Sequence, residues 1–193
     1  MNESSNARFF LALKPPPAVS EQLFELAQQV SATGRLHHID DLHMTLVFLG
    51  LANTKKLQRY KKTIGKLSAM CFTLELDVLG FWSKPGIQWC GPSKTPEGLQ
   101  QLVDKLNQQL AGCGFVPEAR IYRPHVTLRR KADPILAHRL EQAIEWPVQN
   151  FHLYRSLACG EVRYQRIDSW TLATEPAQAV VRKGVPKNGL ADS

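Results

Sequence analysis

Apolar and polar positions change period several times along the chain. Arg8 to Leu13 (RFFLAL) is a short continuous apolar run, the pattern of a buried strand. Pro15-Pro16-Pro17 ends it and opens a helix, with Val19, Leu23, Leu26 and Val30 at helical spacing and Gly34 as the stop. Leu36 to Ile39 fits a short strand or a loop, and Asp40-Asp41 a turn. A second apolar run, 43–50, ends at Gly50. Asn53 or Thr54 then caps a second helix whose inner face is Leu57, Tyr60, Ile64 and Leu67. From Cys71 to Leu79 the period is two: Phe72, Leu74, Leu76 and Val78 against Thr73, Glu75 and Asp77. Ile87 to Cys90 reads as another strand, closed by the turn Gly91-Pro92-Ser93. Thr95-Pro96-Glu97 is a helix start, followed by an apolar stripe of Leu99, Leu102, Val103, Leu106 and Leu110 and ended by Gly112 and Gly114. A strand follows from His125. Residues 133–144, opened by Asp133-Pro134, read as a further helix, and 148–157 with 161–172 as two strands forming a hairpin about Cys159-Gly160. Residues 1–7 read as a loose tail, and the stretch from Glu175 onward, without periodicity, as disordered.

The order is strand–helix–strand–helix–strand, then roughly the same again. That predicts an α+β fold with an internal duplication, β-α-β-α-β twice, giving two pseudo-symmetric lobes in one domain over 1–175, with 176–193 as a tail. Two short strings occupy corresponding places in the two passes: His43-Met44-Thr45-Leu46 and His125-Val126-Thr127-Leu128. Side chains on a strand alternate faces. His43 and Thr45 therefore share one face, with Met44 and Leu46 on the other; His125 and Thr127 share a face opposite Val126 and Leu128. Lobes meeting at a common cleft put two imidazoles and two hydroxyls around one cavity.

Composition adds bounds. The chain has 193 residues, enough for one domain or two small lobes sharing a core, and its hydrophobic content is ordinary for a globular protein. The net charge of +7 favours anionic partners, nucleic acid among them, without specifying one. Cys71, Cys90, Cys113 and Cys159 are far apart with no C-x-x-C pair, unlike a zinc site or a disulfide framework, and read as free thiols of a reducing compartment. No stretch approaches the ~18 apolar residues of a membrane span. The expected location is cytoplasmic, with no membrane partner.

The paired motifs suit acid–base chemistry on a phosphate. Imidazole titrates near neutrality, so one ring can take a proton while the other gives one. Threonine hydroxyls bond non-bridging oxygens, and Arg130 can stabilise charge developing on them. No Asp/His cluster with metal-ligand spacing is evident, and no cofactor or metal is expected.

These residues resemble the two-histidine (2H) phosphoesterases, and within them the bacterial RNA 2′,3′-cyclic phosphodiesterases, also called 2′-5′ RNA ligases. The likeness runs from Arg8 to about Leu172. It is carried by Arg8-Phe9-Phe10, by the stretch from Asp41 through His43-Met44-Thr45-Leu46 to Gly50, by Pro124-His125-Val126-Thr127-Leu128 with Arg130, and by Arg163-Tyr164. The resemblance implies antiparallel sheets lining a central groove. It implies metal-free opening of terminal 2′,3′-cyclic phosphates of RNA to 2′-phosphates, with reverse 2′-5′ joining to a 5′-hydroxyl end without ATP. It also implies His43 as proton donor to the leaving 3′-oxygen, His125 as the acceptor activating water, and base stacking near Phe48. The expected partner is RNA with cyclic-phosphate ends, tRNA fragments being one candidate, and the expected state a monomer. Neighbouring readings are a 2H phosphodiesterase acting on 2′-5′ oligonucleotides or a cyclic ADP-ribose phosphate, and a non-catalytic RNA-end binding module.

Several residues carry a plainer reading. Phe48 shares the core-facing parity of Leu46, which makes it a core residue. Arginines near His125 should lower its proton affinity, as a base requires. His37 and His38 read as surface residues, His138 as a helix-face and His152 as a strand-face residue without a role. Trp82 and Trp89 read as packing groups. The lysines around the second helix read as a solvated face that could also attract an RNA backbone. Tyr122 and Arg123 either line the groove or flank it.

Overall fold

The computed structural model describes residues 7–30, 33–160 and 162–174. The tail 176–193 and residues 1–6 lie outside them.

The first apolar run forms β1 (Ala7–Leu13), and the proline triplet opens α1 (Pro17–Val30). A two-residue strand, β2 (Arg35–Leu36), and a single 3₁₀ turn (Ile39–Asp41) lead into β3 (Met44–Ala52). Asn53 caps α2 (Thr54–Ile64), its side chain accepting from the Lys56 amide at 2.9 Å. Then follow β4 (Phe72–Trp82), β5 (Ile87–Gly91), α3 (Glu97–Ala111) and β6 (Val126–Arg130). The last strands are β7 (His138–Val148), β8 (Asn150–Ser156) and β9 (Tyr164–Thr171). All five predicted stripe residues of α3 are buried, Leu99, Leu102, Val103, Leu106 and Leu110. Pro96 stands at the N-cap of α3, without a side-chain cap bond.

The strands form one sheet in the order β7-β4-β5-β6-β3-β1-β8-β9, with β2 paired to β6. The ladders are antiparallel, and the two halves meet where Met44 of β3 faces Val126 of β6. The halves mirror each other about that bridge: β3-β1-β8-β9 outward on one side, β6-β5-β4-β7 on the other. The motif strands are thus the two central strands. The repeated unit is shorter than expected. β1-α1-β3 corresponds to β5-α3-β6, and the second pass has no second helix.

Residues 133–144 are the correction. The segment enters β7, where Ile144, Trp146 and Val148 are buried and pair with Leu76, Leu74 and Phe72. The four good helix formers Leu140 to Ala143 stand opposite Asp77 alone, in a large bulge between the pairs Leu76–Ile144 and Val78–Arg139. Cross-strand burial of Trp146 outweighs local helix propensity. Pro147 is tolerated because β7 is an edge strand.

One face of the sheet and the apolar stripes of the three helices make a single core cluster. α1 packs on β6 and β7, α3 on β3 and α2 on α3. Arg129 belongs to this side: buried, it donates from Nε to the Ala27 carbonyl at 2.9 Å and ties the end of α1 to β6. The opposite face carries a small hydrophobic cluster of Phe10, Ala12 and Tyr154, with Tyr164 against it. That uncovered face is the groove.

Candidate active site

Each motif histidine sits one residue before its strand, where the chain turns into β3 or β6. His43 Nδ1–H donates to the carbonyl of Asp41 at 2.6 Å, and His125 Nδ1–H donates to the carbonyl of Arg123 at 2.8 Å. The two bonds have the same i to i−2 form. A carbonyl only accepts, so each bond fixes the ring with its proton on Nδ1 and leaves Nε2 for proton transfer. The Asp41 anchor is itself held: its buried carboxylate accepts twice from the Arg163 amide, at 2.9 and 3.0 Å.

The groove holds a cavity of about 290 Å³ lined by His43, Thr45, Phe48, His125, Thr127 and Arg130, the six residues singled out in the sequence. Tyr164, Phe10 and Arg8 complete much of its wall. Ring packing orients each imidazole. Tyr164 meets His43 edge-on at 4.7 Å and Phe10 lies 5.0 Å from it; Trp82 meets His125 edge-on at 4.5 Å and is itself 5.2 Å from Trp89. The two tryptophans pack on each other, as expected, and Trp82 also packs on the second motif histidine. A larger cavity of about 480 Å³ adjoins on the His125 side, sharing Thr45, Phe48 and His125 and adding Trp82, Arg120 and Arg123. Tyr122 lines it too, its hydroxyl donating to the Thr45 carbonyl at 3.0 Å. Tyr122 and Arg123 therefore line the groove.

Phe48 departs from the parity that made it a core residue. Ala12 pairs with Thr45 and Leu11 with Val47, so Leu46 is an extra, bulged residue on β3. The bulge shifts the alternation by one. Val47 turns into the core, and Phe48, 46% exposed, turns to the groove face opposite Phe10, at 6.3 Å. The Arg120 guanidinium lies 5.8 Å from its ring.

Both imidazoles are held below the ordinary histidine range. Burial is the main cause for His43, pushed to about 4, with repulsion from His125, Lys14 and Arg130 added and the Asp41 bond opposing. For His125 burial again leads; Arg130 and Arg120 lower it further, while the Arg123 carbonyl raises it. The expected influence of arginines on His125 is present, but His43 is lowered as well, so the arginines do not by themselves distinguish base from acid.

His37 overturns its surface reading. It is buried, its amide donates to the Leu128 carbonyl at 2.9 Å, and its Nε2 accepts from Arg130 Nε at 3.2 Å. Burial and the nearby arginine push it to about 3, which keeps it the neutral acceptor that this bond needs. His37 thus latches the cavity arginine. Only the pairing of β2 with β6 reveals this; two adjacent histidines before a turn carry no such signal. His38 is exposed and accepts from the Asp40 amide. His138 lies exposed on strand β7, not on a helix. His152 is buried, bonded to the Ser169 hydroxyl at 2.8 Å.

The four cysteines are free. Among the described residues no group of three or more His, Cys, Asp or Glu is placed to hold a metal ion, and no helix is long and apolar enough to cross a membrane.

Known proteins match this chain in sequence and in fold. The 2′-5′ RNA ligase superfamily matches residues 15–158. An RNA 2′,3′-cyclic phosphodiesterase of Escherichia coli K12 is 32% identical over 174 residues, 88% of this chain and 98% of that protein. The crystal structure of E. coli LigT complexed with 3′-AMP superposes with a TM-score of 0.80 at 31% identity, covering 87% of this chain and 99% of that one. The same protein complexed with NADP+ gives 0.79 at 30%, covering 88% and 99%.

Proposed function

This chain belongs to the 2′-5′ RNA ligase superfamily, and from that premise we propose that it opens terminal 2′,3′-cyclic phosphates of RNA to 2′-phosphomonoesters without a metal ion. The observation that carries the reading is the single cavity shared by both imidazoles, both threonine hydroxyls and Arg130. Acid, base and charge stabiliser are all side chains of this chain.

His125 Nε2 takes a proton from water, whose oxygen attacks phosphorus. The P–O3′ bond breaks, and protonated His43 gives its proton to O3′, leaving the phosphate on O2′. His125 then releases its proton to solvent and His43 takes one up, which resets the pair. Acid–base assistance of this kind supplies roughly 10²–10⁴-fold per group. The Thr45 and Thr127 hydroxyls bond the non-bridging oxygens, and Arg130 neutralises the charge that builds on them. Burial favours the neutral form of His43, and the bound phosphate anion supplies the charge that favours its protonated form. The exposed ring of Phe48, with the Arg120 guanidinium nearby, is placed to stack the terminal base. When an RNA 5′-hydroxyl replaces water, the same proton transfers join two strands through a 2′-5′ bond, with no nucleotide consumed.

The test is hydrolysis of a 2′,3′-cyclic-phosphate oligonucleotide in EDTA, with the product identified by phosphorus NMR. His43→Ala and His125→Ala should each abolish turnover with an unchanged circular dichroism spectrum, and the wild type should yield the 2′-phosphate. Near-wild-type activity in either variant removes that histidine from the mechanism. Binding without turnover by the wild type would favour an RNA-end binding module.

A further inference from the structure

Resting on that reading, we propose that a second anion site beside the catalytic cavity binds an internal phosphodiester of the RNA strand. It makes the protein prefer an oligonucleotide end to a cyclic mononucleotide. Its walls are Arg35 and Arg163.

A cavity of about 560 Å³ opens on the far side of the His37–Arg130 latch, lined by Arg35, His37, Asp41 and Arg163 among others. The catalytic cavity begins at the next groove residues, Arg130 and Tyr164. Arg35 of β2 stands directly opposite Arg130 of β6 in the ladder. Directly opposed residues carry their side chains on one face with Cβ atoms roughly 4.5–5.5 Å apart, and like charges there destabilise the pair. Arg163 joins them: Arg35, Arg130 and Arg163 all act electrostatically on His37 and on Tyr164.

One described acid answers part of this charge: the Asp41 carboxylate acts on Tyr164 against the three arginines. Among the described residues none of the three arginines forms an ion pair with a carboxylate. The Asp41 carboxylate lining the cavity is buried and engaged with the Arg163 amide. Of the three guanidiniums one is given to the reacting phosphate; the other two face the single Asp41 carboxylate, which leaves the cavity net positive toward another anion. Guanidinium forks fit phosphate oxygens. The substrate that brings a second phosphate at this range is the RNA chain itself.

The experiment compares Arg35→Ala/Arg163→Ala with wild type on two substrates, a short oligonucleotide ending in a 2′,3′-cyclic phosphate and a 2′,3′-cyclic mononucleotide. KM for the oligonucleotide should rise tenfold or more, with kcat and the mononucleotide constants unchanged. Binding of a fluorescent 2′-phosphorylated hexanucleotide, which needs no turnover, should weaken likewise. Its log–log salt slope should drop by about 0.7 for each phosphate that the variant no longer neutralises. Equal loss on both substrates means that the arginines act through Arg130, and no loss on either means that the strand leaves elsewhere; either result overturns the proposal. Absence of hydrolysis by the wild type speaks against the proposed reaction instead, and the binding measurement still decides the site.

Discussion

At the scale of single residues, the site is built from side chains whose own partners are backbone groups. His43 and His125 are oriented by carbonyls two residues back, a bond that the His-x-Thr spacing carries within itself once the strand begins after the histidine. Arg130 differs, because its latch comes from 93 residues away. A long flexible side chain loses much rotamer entropy when ordered, and His37 meets that cost before substrate arrives. Removing the acceptor should show this. His37→Ala is expected to lower kcat about tenfold or more, the effect of losing a hydrogen bond to a charged group. His37→Gln, which places an acceptor near the same point, should recover most of it. Steady-state kinetics on the two variants decides the matter, with urea unfolding reporting the stability lost separately.

At the scale of elements, two irregularities do much of the positioning. The β3 bulge at Leu46 turns Phe48 to the groove, and the absence of a side chain at Gly80 lets Trp89 lie across β4. A Cβ at Gly80 would come within 2.2 Å of the Trp89 ring. Trp89 supports Trp82, and Trp82 packs on His125, so this glycine is two rings away from the site. Gly80→Ala should therefore destabilise the fold by about 1–3 kcal/mol, as overpacking does. It should also perturb near-ultraviolet circular dichroism of the tryptophans. An unchanged urea midpoint would show that Trp89 can move aside freely. Neither irregularity has a sequence signature that separates it from ordinary alternation. The same holds for β7, where a local Asp-Pro start and four helix formers point to the wrong element because a bulge conceals the strand period.

At the scale of the whole molecule, four histidines are carried below their ordinary range by burial and by the cationic surroundings of a basic chain: His37 to about 3, His43 and His152 to about 4, and His125 in the same direction. In the unfolded chain each titrates near 6.5. Between those values the unfolded state binds more protons than the native one. Folding stability therefore falls as pH drops below about 6.5, with a slope up to roughly 1.4 kcal/mol per pH unit for each histidine, and it is flat in these groups above neutrality. The carboxylates of Asp77 and Asp168, lowered by their hydrogen bonds and nearby cations, add to the loss only nearer pH 4. Urea midpoints measured from pH 8 to 4.5 should decline steeply below 6.5, and a flat profile would mean that these rings are solvated.

The sequence alone determined what depends on neighbours within a few residues. It marked the paired motifs, their place in a repeated plan, the apolar stripe of α3 and five of the residues around the shared cavity, His43, Thr45, His125, Thr127 and Arg130. These signals are period, spacing and residue type, which the local backbone converts directly into facing. Tertiary structure decided what depends on how strands are shifted against each other: that the central ladder brings the motifs to one cavity, that Phe48 faces the groove, that 138–148 is an edge strand, and that His37 lies under Arg130. A one-residue bulge reverses every facing beyond it, and cross-strand partners are separated by whole elements, so neither leaves a trace in the order of residues.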